Sequence, residues 1–597
     1  MPTEWRGTTF KNSDLLGREV FGDHLSSLMA SKMADGADIS TADLVAVGNA
    51  EDYFRVASNV STTLELALAQ AKQLPINQVF GFGSTTMPIL SVVLTAGATP
   101  VHLYTGDEAA PFTEEQLAFL EMMGGTLVLH SGSPAAHAAG VVLAYEAAAA
   151  AEGAAPADAV ATKNVLYILK PEAVDPSKIL VIRKRMATPP TTPMAEEMMQ
   201  AIAQVPITAN QAKPTDEGVV EFFAHLQELA GTAVNASSNP VIFTAGLPAL
   251  CTLFMTLIKR GGADIMMCST AYGGCSQLTD LLNARTARLR KSTFDIQGDA
   301  DINARIKGQL DKLAADPATL LPTTVLFVEV PTNPDMKVPD VKALTSTLQA
   351  YKEATGKDVL LLVDATFAPN SRVLEKVSAV APDLPAMVFV SMSKSISRGV
   401  TTAGALISNH TEKATELIKQ VTVTGSMLDT TAKADQMNFL VDNHTHVEER
   451  CQQAYEVAVA VGEALQASVM KHRSEEMRLA FVSPENAAVG FTSSTFSFNL
   501  PSPVDATPEI NAGLAQRFVD ELTVHPEFKP CVSFGQDNDL IYCTVPATST
   551  QGAIKEEDKA KQAVGGVQLT RLSFPPTCDT AKVIGYVEAA TAKVYSA

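Results

Sequence analysis

Short apolar runs alternate with amphipathic stretches along most of the chain, and from 264 to 407 the alternation is regular. Runs of strand length fall at 264–268, 287–290, 324–330, 359–364, 387–391 and 403–407. Stretches with helical spacing follow them, at about 273–284, 300–313, 340–354, 371–377 and 411–422. Strands separated by helices of this length predict a mostly parallel sheet covered on both faces. Ligands of such sheets bind at the carboxyl ends of the strands.

Upstream, helical spacing around Leu64, Leu66, Leu68 and Ala71 leads to a short strand ending near Phe82. A turn of glycines and hydroxyls (Gly83-Ser84-Thr85-Thr86), a helix at 88–94 and a strand at 99–104 follow. The same order returns as a helix at 220–229, a strand at 241–243, the turn Thr244-Ala245-Gly246-Leu247, a helix at 250–259 and the strand at 264–268. The pattern fits a decayed internal duplication, and equally two βα units of one sheet. Between the two copies, helices are expected at 114–123 and 134–151 and strands at 126–130, 165–169 and 179–183. Breaks fall at 153–161 and 189–193, so 113–215 reads as an inserted or auxiliary α/β segment. Beyond 425, a long helix at 436–466, whole or broken, strands at 490–500, 532–534, 540–545 and 568–574 and a last helix at 580–596 predict a smaller C-terminal α+β domain. The expected division is an arm at 1–75, an auxiliary segment at 76–217, a main α/β domain at 218–430 and a C-terminal domain at 431–597.

A chain of 597 residues is too long for one ordinary core. Its net charge of −20 argues against nucleic acid or an anionic membrane as partner. The one basic cluster, Arg183-Lys184-Arg185, reads as a solvated element end. Seven scattered cysteines without a CxxC pair suit a reducing, cytoplasmic compartment. No apolar run reaches the ~18–20 residues of a membrane span, and Met1–Arg6 shows no secretory pattern. His444-x-His446 lacks a third ligand nearby and is read as surface or capping chemistry, so no metal is expected.

The strand at 359–364 ends in Asp364, and that at 387–391 ends in Ser391-Met392-Ser393-Lys394. One carboxylate, two hydroxyls and one lysine at neighbouring strand ends suit a pyridoxal-phosphate pocket. The lysine can bond the cofactor aldehyde, the aspartate can hold the pyridine N–H, and the hydroxyls can meet the phosphate. Other motifs fall in order around them: Tyr53-Phe54-Arg55, Ala245-Gly246-Leu247, Tyr272-Gly273-Gly274, Glu329-Val330-Pro331-Thr332-Asn333-Pro334, Asp364-Ala365-Thr366, Val532-Ser533-Phe534-Gly535 and Thr570-Arg571-Leu572-Ser573.

Together they resemble the Cys/Met-metabolism family of fold-type I pyridoxal-phosphate enzymes, well over 218–597 and plausibly over 50–75. The resemblance implies a fold-type I α/β architecture and a role for each residue. Lys394 would be the Schiff-base lysine and proton shuttle, Asp364 the partner of the pyridine nitrogen, and Tyr272 the residue stacked on the ring. Gly246, Leu247, Ser391 and Ser393 would bind the phosphate. Asn333 would meet the phenolic oxygen, and Thr366 would touch the ring. Arg571 and Ser533 would clamp the substrate carboxylate. Tyr53 and Arg55 would reach the phosphate of a neighbouring subunit, which implies a homodimer or homotetramer. Two turns compete for the phosphate, Gly83-Ser84 and Gly246-Leu247; the spacing to Tyr272 favours the second. The chain departs from the family at Ser395, where a tyrosine is usual, at 397–399, and at Cys275, where a threonine is usual.

The resemblance covers methionine γ-lyase, cystathionine γ- and β-lyases, cystathionine γ-synthase and O-acylhomoserine sulfhydrylases. Apolar Val532 before Ser533 suits a substrate with an uncharged tail. The expected activity is therefore a carbon–sulfur lyase, γ-elimination of a methionine-like amino acid to an α-keto acid, ammonia and a thiol. The alternatives are γ-replacement on an activated homoserine and, of another class, a non-catalytic assembly protein.

Overall fold

The computed structural model describes residues 1–2, 5, 16–51, 54–109, 111–134, 139–207, 213–296, 301–473, 477–502, 507–531, 533–537, 539–545 and 570–596. Tyr53 and Val532 lie outside them. The described residues form three sheets.

The first sheet uses β1 (Val79–Gly81), β2 (Val101–Tyr104), β3 (Leu127–His130), β4 (Val141–Tyr145), β5 (Ala159–Ala161) and β6 (Val165–Ile168) in the order β1-β6-β5-β4-β2-β3. Helix Asn59–Lys72 packs on this sheet rather than standing apart as an arm. Ser58 starts that helix as half of a reciprocal cap with Ser61.

The second sheet uses β7 (Val241–Phe243), β8 (Ala263–Cys268), β9 (Leu289–Phe294), β10 (Thr323–Glu329), β11 (Asp358–Asp364), β12 (Ala386–Ser391) and β13 (Gly404–Ser408) in the order β7-β13-β12-β11-β10-β8-β9. Its centre is parallel, with β13 antiparallel to both neighbours. Six of these seven strands fall within two residues of the expected runs at both ends, because they are buried and carry unbroken apolar runs. The exception is β9, displaced by two residues at its start and four at its end, where lysine and serine continue the strand. Aspartates or a threonine cap the helices at Ile302–Ala314, Val341–Thr355 and Glu412–Leu428.

The third sheet, β14 (Arg478–Ala480), β15 (Thr495–Asn499), β16 (Phe528–Pro530), β17 (Ile541–Thr544) and β18 (Thr570–Ser573), has the order β14-β15-β18-β17-β16. It shares a core with helices Val447–His472, Pro508–Thr523 and Thr580–Ser596.

Several expected elements change. The alanine-rich stretch at 134–151 yields β4, because Val141-Val142-Leu143 supplies a buried strand pairing with β2 and β5. The expected strand at 179–183 is part of helix Pro176–Met186, started by an Asp175 cap and a proline in its first turn. That helix takes the basic cluster inward: Arg183 is 0% and Arg185 2% exposed, the opposite of a solvated element end. The helix expected at 436–466 takes the broken form, as Ala434–Asn443 and Val447–His472, separated where His446 turns left-handed at φ 59°. The strand expected at 490–500 starts only at Thr495, and Ser533-Phe534 is not strand. Helix Pro508–Thr523, capped by Thr507, has no counterpart among the expected elements.

Candidate active site

Strands β10, β11 and β12 end side by side, with Glu329 in register with Asp364 and Asp364 with Phe389. Their last residues face a common cavity. Arg55, Gly246, Leu247, Tyr272, Asn333, Asp364, Thr366, Ser391, Ser393, Lys394 and Arg571 all line it. Ser533 joins them through Lys394, whose Nζ donates to Ser533 Oγ at 2.6 Å. The Gly83-Ser84 turn is not in this cavity; Ser84 Oγ donates to Leu428 O instead, at 2.8 Å.

Lys394 is 6% exposed, and burial pushes its amine down to about 8, so a far larger share of it is neutral at physiological pH than in an exposed lysine. Its Nζ lies 5.1 Å from the centre of the Phe534 ring, which stacks on Phe367 with centroids 4.3 Å apart. Thr366 N donates to Asp364 Oδ1 at 2.9 Å, and Ser391 N donates to Thr366 Oγ1 at 2.9 Å. Thr366 thus ties the carboxylate strand to the lysine strand. Burial pushes the Asp364 carboxyl up, and it pushes Glu329 up further because Asp364 sits beside it. Glu329 accepts from Tyr272 N at 2.5 Å and Asn333 N at 3.2 Å. Arg571 Nη1 reaches Asn333 Oδ1 at 3.4 Å, and burial lowers the guanidinium to about 10.

Helix Gly246–Lys259 points its N-terminus into the same cavity. Ala245 at its cap has no polar side chain, so none satisfies the first N–H groups. A Cβ on Gly246 would stand 3.2 Å from Phe389 and Ser391, so glycine lets the start of this helix lie close against the end of β12.

Arg55 enters from the first half of the same chain. Its Nη2 donates to Tyr272 Oη at 3.3 Å and its Nη1 to Lys184 O. This differs from the expectation that it serves a neighbouring subunit. Three features had no assigned role in the sequence: Glu329, Arg185 and the Phe367–Phe534 pair. Glu329 ends a buried strand as Asp364 does, a signal available from the pattern. Arg185, whose Nε donates to Gln277 Oε1 at 2.5 Å, was hidden by reading its cluster as solvated.

A family model described as Cys/Met metabolism PLP-dependent enzyme matches residues 223–575. The chain belongs to this family. Among relatives, a cystathionine beta-lyase of Lactococcus lactis is 26% identical over 210 residues, 35% of this chain and 46% of that protein. A cystathionine gamma-lyase of Rattus norvegicus is 28% identical over 140 residues, 24% of this chain and 30% of that one. The chain thus spans less than half the length of these curated relatives. A solved cystathionine gamma-lyase from yeast superposes with a TM-score of 0.49 at 20% identity, covering 64% of this chain and 86% of that one.

The family's cofactor fits the residues present. A lysine, a strand-end carboxylate, two arginines and an uncapped helix N-terminus form a donor and acceptor set suited to an aldehyde, a pyridine nitrogen and a phosphate. Among the described residues no group of metal-binding side chains occurs, and His444 pairs with His225, ring nitrogen to ring nitrogen, at 2.7 Å. No described helix is long and apolar enough to cross a membrane.

Proposed function

We propose that the chain catalyses γ-elimination of a methionine-like amino acid, taking up one water and releasing an α-keto acid, ammonia and a thiol. The observation that supports this reading is the aromatic wall of Phe367 and Phe534 beside Lys394, an apolar seat for an uncharged substrate tail. The lyase names of the curated relatives support elimination over replacement.

When bound, pyridoxal phosphate supplies an electron sink that stabilises negative charge at the substrate Cα. Lys394 would hold its aldehyde carbon, Asp364 would meet its ring nitrogen, and Tyr272 would cover the ring. The N–H groups of Gly246 and Leu247, with Ser391, Ser393 and Arg55, would hold its phosphate. Asn333 would meet its phenolic oxygen, and Thr366 would touch its ring.

Arg571 takes the substrate carboxylate as a planar, two-pronged donor. Burial leaves Lys394 Nζ able to accept a proton, so once free it takes the Cα proton and supplies one to the leaving sulfur. Ser533 Oγ, already bonded to Lys394, keeps the amine at the cavity floor. Phe367 and Phe534 exclude water from the tail.

Product analysis tests the reading. Purified protein is offered methionine, cystathionine, cysteine and O-acetylhomoserine. Keto acid from methionine without added thiol is the expected result. Product formed only when a thiol is added would show a replacement enzyme instead.

A further inference from the structure

The two large sheets have the same plan. Reading across the first, β1 is antiparallel to β6, β6 antiparallel to β5, and β5, β4, β2 and β3 run parallel. Across the second, β7 is antiparallel to β13, β13 antiparallel to β12, and β12, β11, β10, β8 and β9 run parallel. The first sheet is the second with one parallel strand removed.

The helices agree. In each half the helix after the first strand, Met87–Ala96 or Gly246–Lys259, packs on the helix after the last strand, Pro176–Met186 or Glu412–Leu428. In each half the turn after the first strand donates a backbone N–H to a carbonyl beyond that last helix: Gly83 to Thr188 at 2.9 Å, and Thr244 to Thr430 at 2.9 Å. Shared order, direction, helix packing and a matching backbone bond are not expected of two unrelated α/β units.

The halves also exchange contacts. Thr85 N in the first half donates to Asp429 Oδ2 at 2.7 Å, at the end of Glu412–Leu428. In return, helix Pro176–Met186 packs on Gly246–Lys259 and Gly273–Asn283, where Arg185 meets Gln277. Exchange of equivalent surfaces is the mark of a two-fold pair.

Only one half keeps a lysine pocket. Between β12 and β13 the chain spends residues 392–403, including Lys394; between β5 and β6 it has only Thr162-Lys163-Asn164, with Lys163 exposed. Space beside β1 is taken by the buried Glu65, which holds both Arg18 and Arg183. Arg183 Nη2 in turn donates to Val56 O at 3.2 Å, next to Arg55.

We propose that residues 59–202 are a second copy of the cofactor domain that has lost its own site and completes the site of 218–430 from within the same chain. Arg55, in the segment that leads into this copy, is what it carries into the cavity, steadied by Arg183 through Val56 O and by the Lys184 carbonyl. One chain therefore holds one whole pocket, whatever assembly it enters. This rests on the reading that the cofactor phosphate lies beside Gly246 and Arg55.

Complementation between two crippled full-length chains tests it. An Arg55→Ala chain and a Lys394→Ala chain, carrying different tags, are co-expressed, and cofactor retention by visible absorbance is measured with keto-acid production. If the pocket is completed within each chain, every site in the mixture carries one lesion, and the mixture equals the average of the two chains alone. If Arg55 crosses to another chain, half of randomly formed pairs are mixed and each has one intact site, so about a quarter of wild-type sites return; that recovery overturns the proposal. Arg55→Gln, which keeps bulk and polarity, repeats the test where the alanine chain melts early. Wild-type protein that takes up no cofactor would defeat the underlying reading, a different result from recovery in the mixture.

Discussion

Burying an amine disfavours its charged form, and Lys394 shows the consequence at the scale of one residue. Its pKa falls from 10.5 to about 8 because it is enclosed. Between those values the unfolded chain binds more protons than the folded one, so the stability of the cofactor-free protein rises with pH across that window. Below pH 8 the full cost of charging or burying the amine is present. Lys394→Met keeps the length of the side chain and removes the charge. The cofactor-free variant is expected to be more stable at pH 7 by about 1–3 kcal/mol, with a flatter profile between pH 8 and 10.5. Urea denaturation across pH reads both effects; an unchanged slope would show that Lys394 is not the group responsible. Functional groups that cost stability in this way are drawn together at sites, and Glu329 and Asp364 share the pattern with the opposite charge.

At the scale of elements, turns rather than strands set the site. Gly404 opens β13 with Ser391 opposite on one side and Phe243 on the other. A Cβ there would lie 2.6 Å from both Ala245 O and Gly246 Cα, which are backbone atoms of the turn that feeds the cofactor helix. Gly404→Ala must push β13 away from that turn. The expected loss is about 2 kcal/mol of stability together with a roughly tenfold weaker hold on pyridoxal phosphate. Thermal melting and cofactor titration check the two; normal affinity in a destabilised variant would separate the turn from the site. Elements of the second sheet were legible because double burial writes an unbroken apolar run. Helix Pro176–Met186 was not: its apolar residues pass as a short strand, and its arginines pass as solvent-facing. What makes it a buried helix is the Asp175 cap and an acidic partner, Glu65, over a hundred residues upstream. A window of local sequence does not contain that partner. The strand-end residues of the site were legible for the converse reason, since each closes its own apolar run, while the aromatic pair Phe367–Phe534 needed two domains to meet.

For the whole molecule, Glu65 is the residue on which the internal order of the first half rests, and through it the placing of Arg55. It is fully buried and binds Arg18 Nε at 2.8 Å, Arg183 Nη1, and the backbone N–H of Gly81 at 2.8 Å. The sequence echo at 62–104 and 220–268 left open whether one sheet or two was present; pairing of β1 with β6 rather than with a strand of the second sheet decides for two. Joining the halves depends on pairs such as Thr85–Asp429 and Arg185–Gln277, while Glu65 holds the first half in the shape that carries Arg55. Glu65→Gln keeps the shape and removes the charge, leaving two guanidiniums buried together. A loss of about 3–5 kcal/mol is expected. Because Arg183 also holds Val56 O beside Arg55, cofactor affinity is expected to fall about tenfold in the fraction that remains folded. Ser40→Ala is the comparison. Ser40 caps an exposed helix through Asp43, so it costs about 1 kcal/mol and leaves the cofactor untouched. If Glu65→Gln instead binds pyridoxal phosphate as tightly as wild type while melting earlier, the buried triad serves stability alone and does not position Arg55.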